Sequence, residues 1–509
     1  MSDLEAVRVG EELNIQSVVA VACHRVPVVL GEKGRSALRR ARGVVDGFLA
    51  DTALARYGIN TGFGALAETR ISNEDLSELQ HRLIRSHAVG VGQPLSREAT
   101  RALMLLRANV LCLGYSGVRE LVVERLLALL NAGVHPLIPS QGSVGASGDL
   151  APLAHLALTL IGEGPAEFEG EILDGPQALM AAGCEPLRLG AKEGLALING
   201  TQGMLAIGSI VLDRAATLVA SADITGAMSL EALMGSVAPF DEAIIQARPH
   251  QGALASASHL RRLLADSSII ASHKDCSEVQ DAYSLRCMPQ VHGSTRDLLA
   301  FAEGVVNVEL NSATDNPLIL PDGRIQSGGN FHGQPVAAAL DVATMALTDL
   351  GSIAERRLAQ MVDPSLNRGL PPFLALNSGL NSGFMMAQVT AAALVCESRA
   401  LCQPKSVDTI PTSADREDHV SMGMISARHL KMVANHLEHI LSIEAVVALE
   451  GIRQRGLRAG IGVQAAVTLL SEVVPEVTED RPFYRDFEAV RQVIASGDLL
   501  SVVEAALEC

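Results

Sequence analysis

Apolar residues recur at steps of three and four over most of the chain, the spacing of amphipathic and buried helices. Residues 97–134 read as two helices, broken at Gly114-Tyr115-Ser116-Gly117 and stopped by Pro136. Residues 203–235 read as one long helix, and 296–312, 335–362, 382–401 and 418–454 as four more. At about 1.5 Å per residue the last approaches about 50 Å. Strand-like alternation is local. Residues 166–173 predict a small hairpin, and 318–325 a second with Asp322-Gly323 at its turn. No βαβ alternation and no internal repeat stands out. The pattern predicts a mainly α fold with a long central helical bundle. A seam near Asn199-Gly200-Thr201 predicts a mixed N-terminal part, 1–200, and a long-helix part, 201–509, ending in a helical layer.

Composition narrows this picture. Of 509 residues 48% are hydrophobic, 19% charged and only 3% aromatic, with no Trp. A core of Ala, Leu, Val and Ile suits closely packed helices. The net charge of −17 argues against nucleic acid or an anionic membrane as partner. Lysine is scarce (Lys33, Lys192, Lys274, Lys405 and Lys431), which leaves few candidates for lysine–aldehyde cofactor chemistry. Eight cysteines are scattered without CxxC pairs, which predicts reduced thiols and no zinc site. The first residues are acidic and lack a signal-like apolar run. No uncharged apolar stretch reaches roughly 18 residues, the one after Gly203 being broken by Asp213-Arg214. The expectation is a soluble, cytoplasmic protein without a metal.

Several motifs are weak. Gly62-Phe63-Gly64-Ala65-Leu66-Ala67 and Gly460-Ile461-Gly462-Val463-Gln464-Ala465 fit a loose GxGxxA, but neither follows a convincing strand. Gly145-Ala146-Ser147-Gly148-Asp149 lacks the second glycine of a nucleophile elbow. His436 and His439 flank Glu438 without HExxH spacing, and a solvated helix face accounts for them.

Ala146-Ser147-Gly148 admits a different chemistry. The Gly148 amide nitrogen is unhindered, and Gly145 lets the loop bend tightly. Attack of that nitrogen on the Ala146 carbonyl closes a five-membered ring. Loss of that oxygen and of the Ser147 hydroxyl as waters leaves a methylidene conjugated to an imidazolone, an electrophile made from the chain alone. Asp149 and the apolar run after it look like a helix start, whose partial positive charge would stabilise negative charge on such a ring. The alternative is an ordinary helix start capped by Ser147 or Asp149.

The stretch GSVGASGDLAPLAHLAL resembles the signature of the aromatic amino-acid ammonia-lyases and aminomutases, and the resemblance covers nearly the whole chain. It implies a 4-methylidene-imidazol-5-one formed autocatalytically from Ala146, Ser147 and Gly148, with no metal and no dissociable organic cofactor. It also implies a fumarase/aspartase-like helical fold and a homotetramer whose active sites are shared between subunits. Tyr57, in a glycine-punctuated loop, then matches the acid/base near the substrate β-carbon, where a barely acidic proton must leave; loop packing is its alternative. Ser86-His87 matches the pair that selects the side chain. Ser-His resembles the histidine-type members, and a buried imidazole needs polar partners. Leu76, Leu79, Leu83 and His87 fall on one apolar face, so a satisfied core histidine is the alternative.

Glu417 matches an acidic position of the same members, although an acidic residue entering a helix is expected from the dipole alone. Gln280, Tyr283 and Arg286, if helical, share an arc of roughly 120°. The resemblance gives Gln280 and Tyr283 places near the electrophile and substrate; Arg286 suits a bidentate grip on the substrate carboxylate. Ala282 stands where the family often has Pro. Asn199 matches the asparagine beside the electrophile and Phe331 an active-site aromatic. Asn316, before Pro317, is explained as well by a turn. Together these imply loss of ammonia from L-histidine to give trans-urocanate, the first step of histidine degradation. A histidine 2,3-aminomutase and a non-catalytic helical scaffold are the alternatives.

Overall fold

A computed structural model describes residues 6–50, 56–62, 66, 68–274 and 279–508. The chain forms two compact units: 1–213 with 302–341 and 404–428, and 214–301 with 342–403 and 429–509. The fold is mainly helical, at about 60%.

The helices at 97–134 show why the pattern is readable. Arg97–Cys112 starts at Ser96, whose side chain accepts from the Ala99 amide at 3.3 Å, and ends before Gly114 at φ +76°. Glu120–Ala132 ends at Gly133, whose φ of +77° gives a left-handed cap. The long helices are Gln202–Ala232, Met288–Glu309, Gln334–Val362, Met385–Leu401 and Gly423–Arg455. Met288–Glu309 begins eight residues before the expected start. Its first turns bury His292 and Thr295 where the pattern looks for aliphatics. Both expected hairpins form: Ala166–Phe168 with Glu171–Leu173, and Leu318–Ile319 with Ile325–Gln326.

Two readings are corrected. Val7–Val9 pairs in parallel with Val28–Leu30 across the helix Ile15–Ala22, a small β-α-β unit. Three-residue strands are too short to show alternation. Three helices, Gln202–Ala232, Gln334–Val362 and Gly423–Arg455, are long and apolar enough to cross a membrane, because one or two charges do not disqualify a span. Their most apolar windows are 67%, 72% and 78% buried in the protein, so the apolar surface serves packing.

The second unit has a charged interior. Asp223 is buried and accepts from Ser256 Oγ (2.6 Å), His259 Nδ1 (3.1 Å), His292 Nδ1 (2.7 Å) and Arg296 (2.6 Å). Burial alone would raise this carboxyl; the hydrogen bonds from His259 and His292 and the nearby cations outweigh it and hold it below its ordinary range. The His436–His439 face is not simply solvated, as expected: Glu438 is buried and paired with Arg214 and Arg491. Gly460 does cap a helix, Ile461–Val473, but its amide donates to the Glu231 carboxylate at 2.9 Å. A carboxylate therefore fills the place an anion would take.

Burial pushes the Glu231 carboxyl up to about 7, against hydrogen bonds from Ser267 and Gly460. Its folded value is thus raised above its unfolded one. The native state keeps a proton the unfolded state has lost, so this group's contribution falls as pH rises from the unfolded value to about 7. Glu231→Gln lacks that loss. Its stability relative to wild type is expected to rise between pH 5 and pH 8, by on the order of 2 kcal/mol, in urea unfolding at both pH values. An equal difference at the two pH values would refute this.

Candidate active site

The loop 142–150 belongs to the first unit. Gly145 and Gly148 take φ of +71° and +72°, which kinks the chain on both sides of Ala146-Ser147. At Gly148 the need for glycine is also steric: a Cβ there would lie 2.1 Å from the Gly200 carbonyl oxygen. Gly148 pairs with Gly200, and the Asp149 amide donates to that carbonyl at 2.7 Å. Ala146 packs with Val420 and Met422. Ser147 Oγ donates to Asn199 Oδ1 at 2.7 Å. Asn199 ends the helix Glu193–Ile198. Its Nδ2 donates to Asp315 Oδ1 (3.0 Å) and to the Asn316 carbonyl (3.2 Å).

The expected helix start is displaced. The helix after the loop is Ala151–Leu160, without a side-chain cap, and neither Ser147 nor Asp149 serves it. Asp149 instead accepts from the amides of Gly203 (2.5 Å) and Met204 (3.2 Å), at the N-terminus of Gln202–Ala232. Burial pushes its carboxyl up to about 7, opposed by those amides and by Arg107. Arg107 is wholly buried and donates to the Asn199 carbonyl (3.0 Å), Gln202 Oε1 (2.6 Å) and the Ala196 carbonyl. Burial pushes its guanidinium down to about 10, against Asp315 and Asp149. Arg107, Asp315 and Lys192 have no sequence motif of their own, and Asp149 was legible only as a helix start. Only the scarcity of lysine marked Lys192, and it is buried against Asp315, 2.8 Å away.

His87 is the last residue of the helix Leu76–His87 and is half-buried; Ser86 is exposed. Nδ1 lies 2.9 Å from the Leu83 carbonyl and 3.0 Å from Ser86 Oγ. A carbonyl only accepts, so that contact puts the proton of the neutral ring on Nδ1 and leaves Nε2 as an acceptor. Burial lowers the His87 pKa, while the Leu83 contact and the charge of Glu417 raise it. Glu417 does not enter the last helix: Gly423–Arg455 starts six residues later. Glu417 pairs instead with Thr412, whose Oγ1 donates to Oε2 at 2.8 Å, so helix capping does not explain it.

Tyr57 is half-buried. Its loop is pressed against the same framework: a Cβ on Gly58, at φ +74°, would lie 2.6 Å from Leu195 Cδ2 and 2.9 Å from Pro317 Cδ. Phe63–Ala65 and Ala67 of the glycine motif lie outside the described residues. Phe331 is half-buried in a loop tied at one end to Asn316, which accepts from the Gly328 amide at 2.9 Å. At the other end His332 Nε2 meets the His419 carbonyl at 3.0 Å.

Gln280, Tyr283 and Arg286 lie in the second unit. The helix expected to carry all three spans only Tyr283–Arg286, so Gln280 precedes it and shares no helical arc with the others. Asp281, before the helix, accepts from the Ser236 amide (2.6 Å) and Arg368 (2.7 Å), contacts that anchor the segment ahead of the helix. Tyr283 is 71% exposed, with the Arg286 guanidinium 4.7 Å from its ring centre. The first unit thus joins Ala146, Ser147, Gly148, Asn199 and Asn316 in one hydrogen-bonded and packed framework, and also carries His87 and Glu417.

A mainly helical fold with a glycine-kinked Ala-Ser-Gly loop held by an asparagine defines a lyase class, and sequence comparison agrees. Residues 13–472 match the aromatic amino acid lyase family, and the chain belongs to it. It is 55% identical over 507 residues to histidine ammonia-lyase of Sorangium cellulosum, covering 98% of this chain and 99% of that one. The crystal structure of histidine ammonia-lyase from Trypanosoma cruzi superposes with a TM-score of 0.91 at 42% identity, covering 99% of this chain and 96% of that one. Tyrosine aminomutase from Streptomyces globisporus superposes with a TM-score of 0.93 at 37% identity, covering 98% and 99%. The backbone is thus shared with an ammonia-lyase and with an aminomutase.

Proposed function

We propose that this protein eliminates ammonia from L-histidine to give trans-urocanate. The observation that carries this is the His87 imidazole of the first unit, tied through Nδ1 to the Leu83 carbonyl with Nε2 left as an acceptor. An imidazole N–H can donate to that nitrogen, and Glu417 can accept from or exchange a proton with the far side of the substrate ring. An apolar phenyl ring would leave the His87 Nε2 without a donor, a discrimination larger than a methylene provides. The names of the relatives from Sorangium cellulosum and Trypanosoma cruzi support the same substrate.

The residues of the loop fit the proposed prosthetic group. Two left-handed glycines tighten the turn, Gly148 has no room for a side chain, and the Ser147 hydroxyl is held by Asn199. A methylidene-imidazolone formed there would supply an electrophile that turns the substrate amine into a better leaving group. In this reading Tyr57 would take the β-proton as tyrosinate, Arg286 would grip the carboxylate, and His87 and Glu417 would orient the imidazole. The places that the family resemblance gives Tyr283, Gln280, Phe331 and Asn199 belong to the same reading. Sites shared among the subunits of a homotetramer belong to this reading. The outward-facing Tyr283 and Val279, 71% and 93% exposed, are in keeping with it. So is a cytoplasmic protein without nucleic-acid partners.

The test is to offer L-histidine, L-tyrosine and L-phenylalanine separately. Histidine is expected to be preferred; preference for phenylalanine would overturn the substrate assignment. His87→Phe is expected to lower kcat/KM for histidine by about 100-fold and to lower that for phenylalanine far less. Equal losses for both substrates would deny His87 a part in selection.

A further inference from the structure

Asn199 faces Ser147 with its amide oxygen, and one feature decides that orientation. An amide can turn to present either O or NH2, and the two ends differ only in hydrogen bonding. The Nδ2 end meets Asp315 Oδ1 at 3.0 Å and the Asn316 carbonyl at 3.2 Å. An ionised carboxylate and a carbonyl can only accept, so the NH2 must face them and the oxygen must face Ser147. Asp315 is kept ionised in a buried place by Lys192, 2.8 Å from its Oδ2, and both side chains are fully buried. The Arg107 charge acts in the same direction. A buried ion pair is costly to desolvate, and apolar replacements are often as stable or more so. Stability alone therefore does not account for Lys192 and Asp315, which lie 123 residues apart in sequence.

We propose that Lys192 and Asp315 are positioning residues that lock the Asn199 amide as an acceptor for the Ser147 hydroxyl, and so promote the second dehydration of the Ala146-Ser147-Gly148 loop. This rests on the function proposed above. Ring closure forms the Gly148 N–Ala146 C bond and releases the Ala146 oxygen as water, with one proton from each of the Ser147 and Gly148 nitrogens. The second step removes the Ser147 Cα proton and breaks the Cβ–Oγ bond, releasing a second water and forming the Cα=Cβ bond. No oxidant or reductant enters. The second step needs the departing hydroxyl held in one rotamer, and Oγ–H donation to Asn199 Oδ1 at 2.7 Å does so. If Lys192 is lost, Asp315 can take up a proton and present O–H to Asn199. The Asn316 carbonyl is then the one acceptor left to hold the NH2 end, so the amide's orientation toward Ser147 is weakened.

Intact mass of the purified full-length chain reads both steps, and a cooperative melt shows that the chain is folded. Wild type is expected to be two waters light. Lys192→Gln keeps a donor to Asp315 without the charge, and Lys192→Met with Asp315→Val replaces the pair by apolar groups. In both, the two-water fraction per folded chain is expected to fall at least about fivefold, with a species one water light accumulating. Lys192→Arg, which keeps the charge, is expected to recover more than half of the closure. A structural role alone would lower the melting temperature and leave the mass of the folded chain unchanged. If both charge-removing variants are two waters light like wild type, the positioning role is refuted. Wild type at full mass would instead refute the proposed prosthetic group beneath it.

Discussion

Ser147→Ala is expected to lower kcat on histidine by at least about 1,000-fold while the chain still folds. Alanine has no β-oxygen to lose, so no methylidene can form and the mass deficit never reaches two waters. The structural cost is small. The substitution leaves Asn199 Oδ1 without the Ser147 hydroxyl, a loss of about 1 kcal/mol. Neighbouring contacts remain: Asp149 on the Gly203 and Met204 amides, and Met422 N on the Val144 carbonyl at 2.8 Å. A melt within a few degrees of wild type together with lost turnover separates chemistry from folding. Turnover near that of wild type would contradict the account of the loop.

Tyr57→Phe is the complementary case. Its loop is fixed by backbone contacts, including Ile59 N and Asn60 N to the Arg56 carbonyl, and by the packing of Gly58 on Leu195 and Pro317. The phenol oxygen can therefore be removed with the loop in place. The variant is expected to be two waters light, because ring formation does not use Tyr57. Its kcat is expected to fall by about 100- to 10,000-fold, the span associated with loss of a general base. KM is expected to move far less, since the carboxylate and imidazole contacts persist. A kcat within tenfold of wild type would remove Tyr57 from proton abstraction.

The contrast between these variants also shows where the sequence speaks. Helices at 97–134, 202–232 and 334–362 are legible because Ala and Leu repeat at helical spacing and glycine or proline closes each end. The start of Met288–Glu309 is hidden because its buried face carries His292 and Thr295. The β-α-β unit at 7–30 is hidden because its strands have three residues each. Glu417 looked like a helix-entering acid, and the chain needs six more residues, with Met422 at φ +56°, before the helix begins.

Chemistry is legible where the residues are consecutive. Ala146-Ser147-Gly148 can be read as a ring precursor from bond connectivity alone. What surrounds it comes from distant segments. Asp149 finds the 203–204 amides and Asn199 finds Asp315, 116 residues away. Asp223 gathers Ser256, His259, His292 and Arg296. Such pairings depend on the topology of the folded chain, and a one-dimensional pattern holds no record of them. Gln280, Tyr283 and Arg286 were expected on one helical arc; the helix is only one turn long, so Gln280 precedes it, while the Arg286 guanidinium lies 4.7 Å from the Tyr283 ring centre.

The central claim is elimination from histidine by this chain, and product identification tests it most directly. Purified protein incubated with L-histidine is expected to yield trans-urocanate and ammonia in equal amounts, with β-histidine at trace level. β-Histidine as the main product would make the chain an aminomutase, and an absence of turnover on histidine with turnover on tyrosine or phenylalanine would contradict the reading of His87 and Glu417.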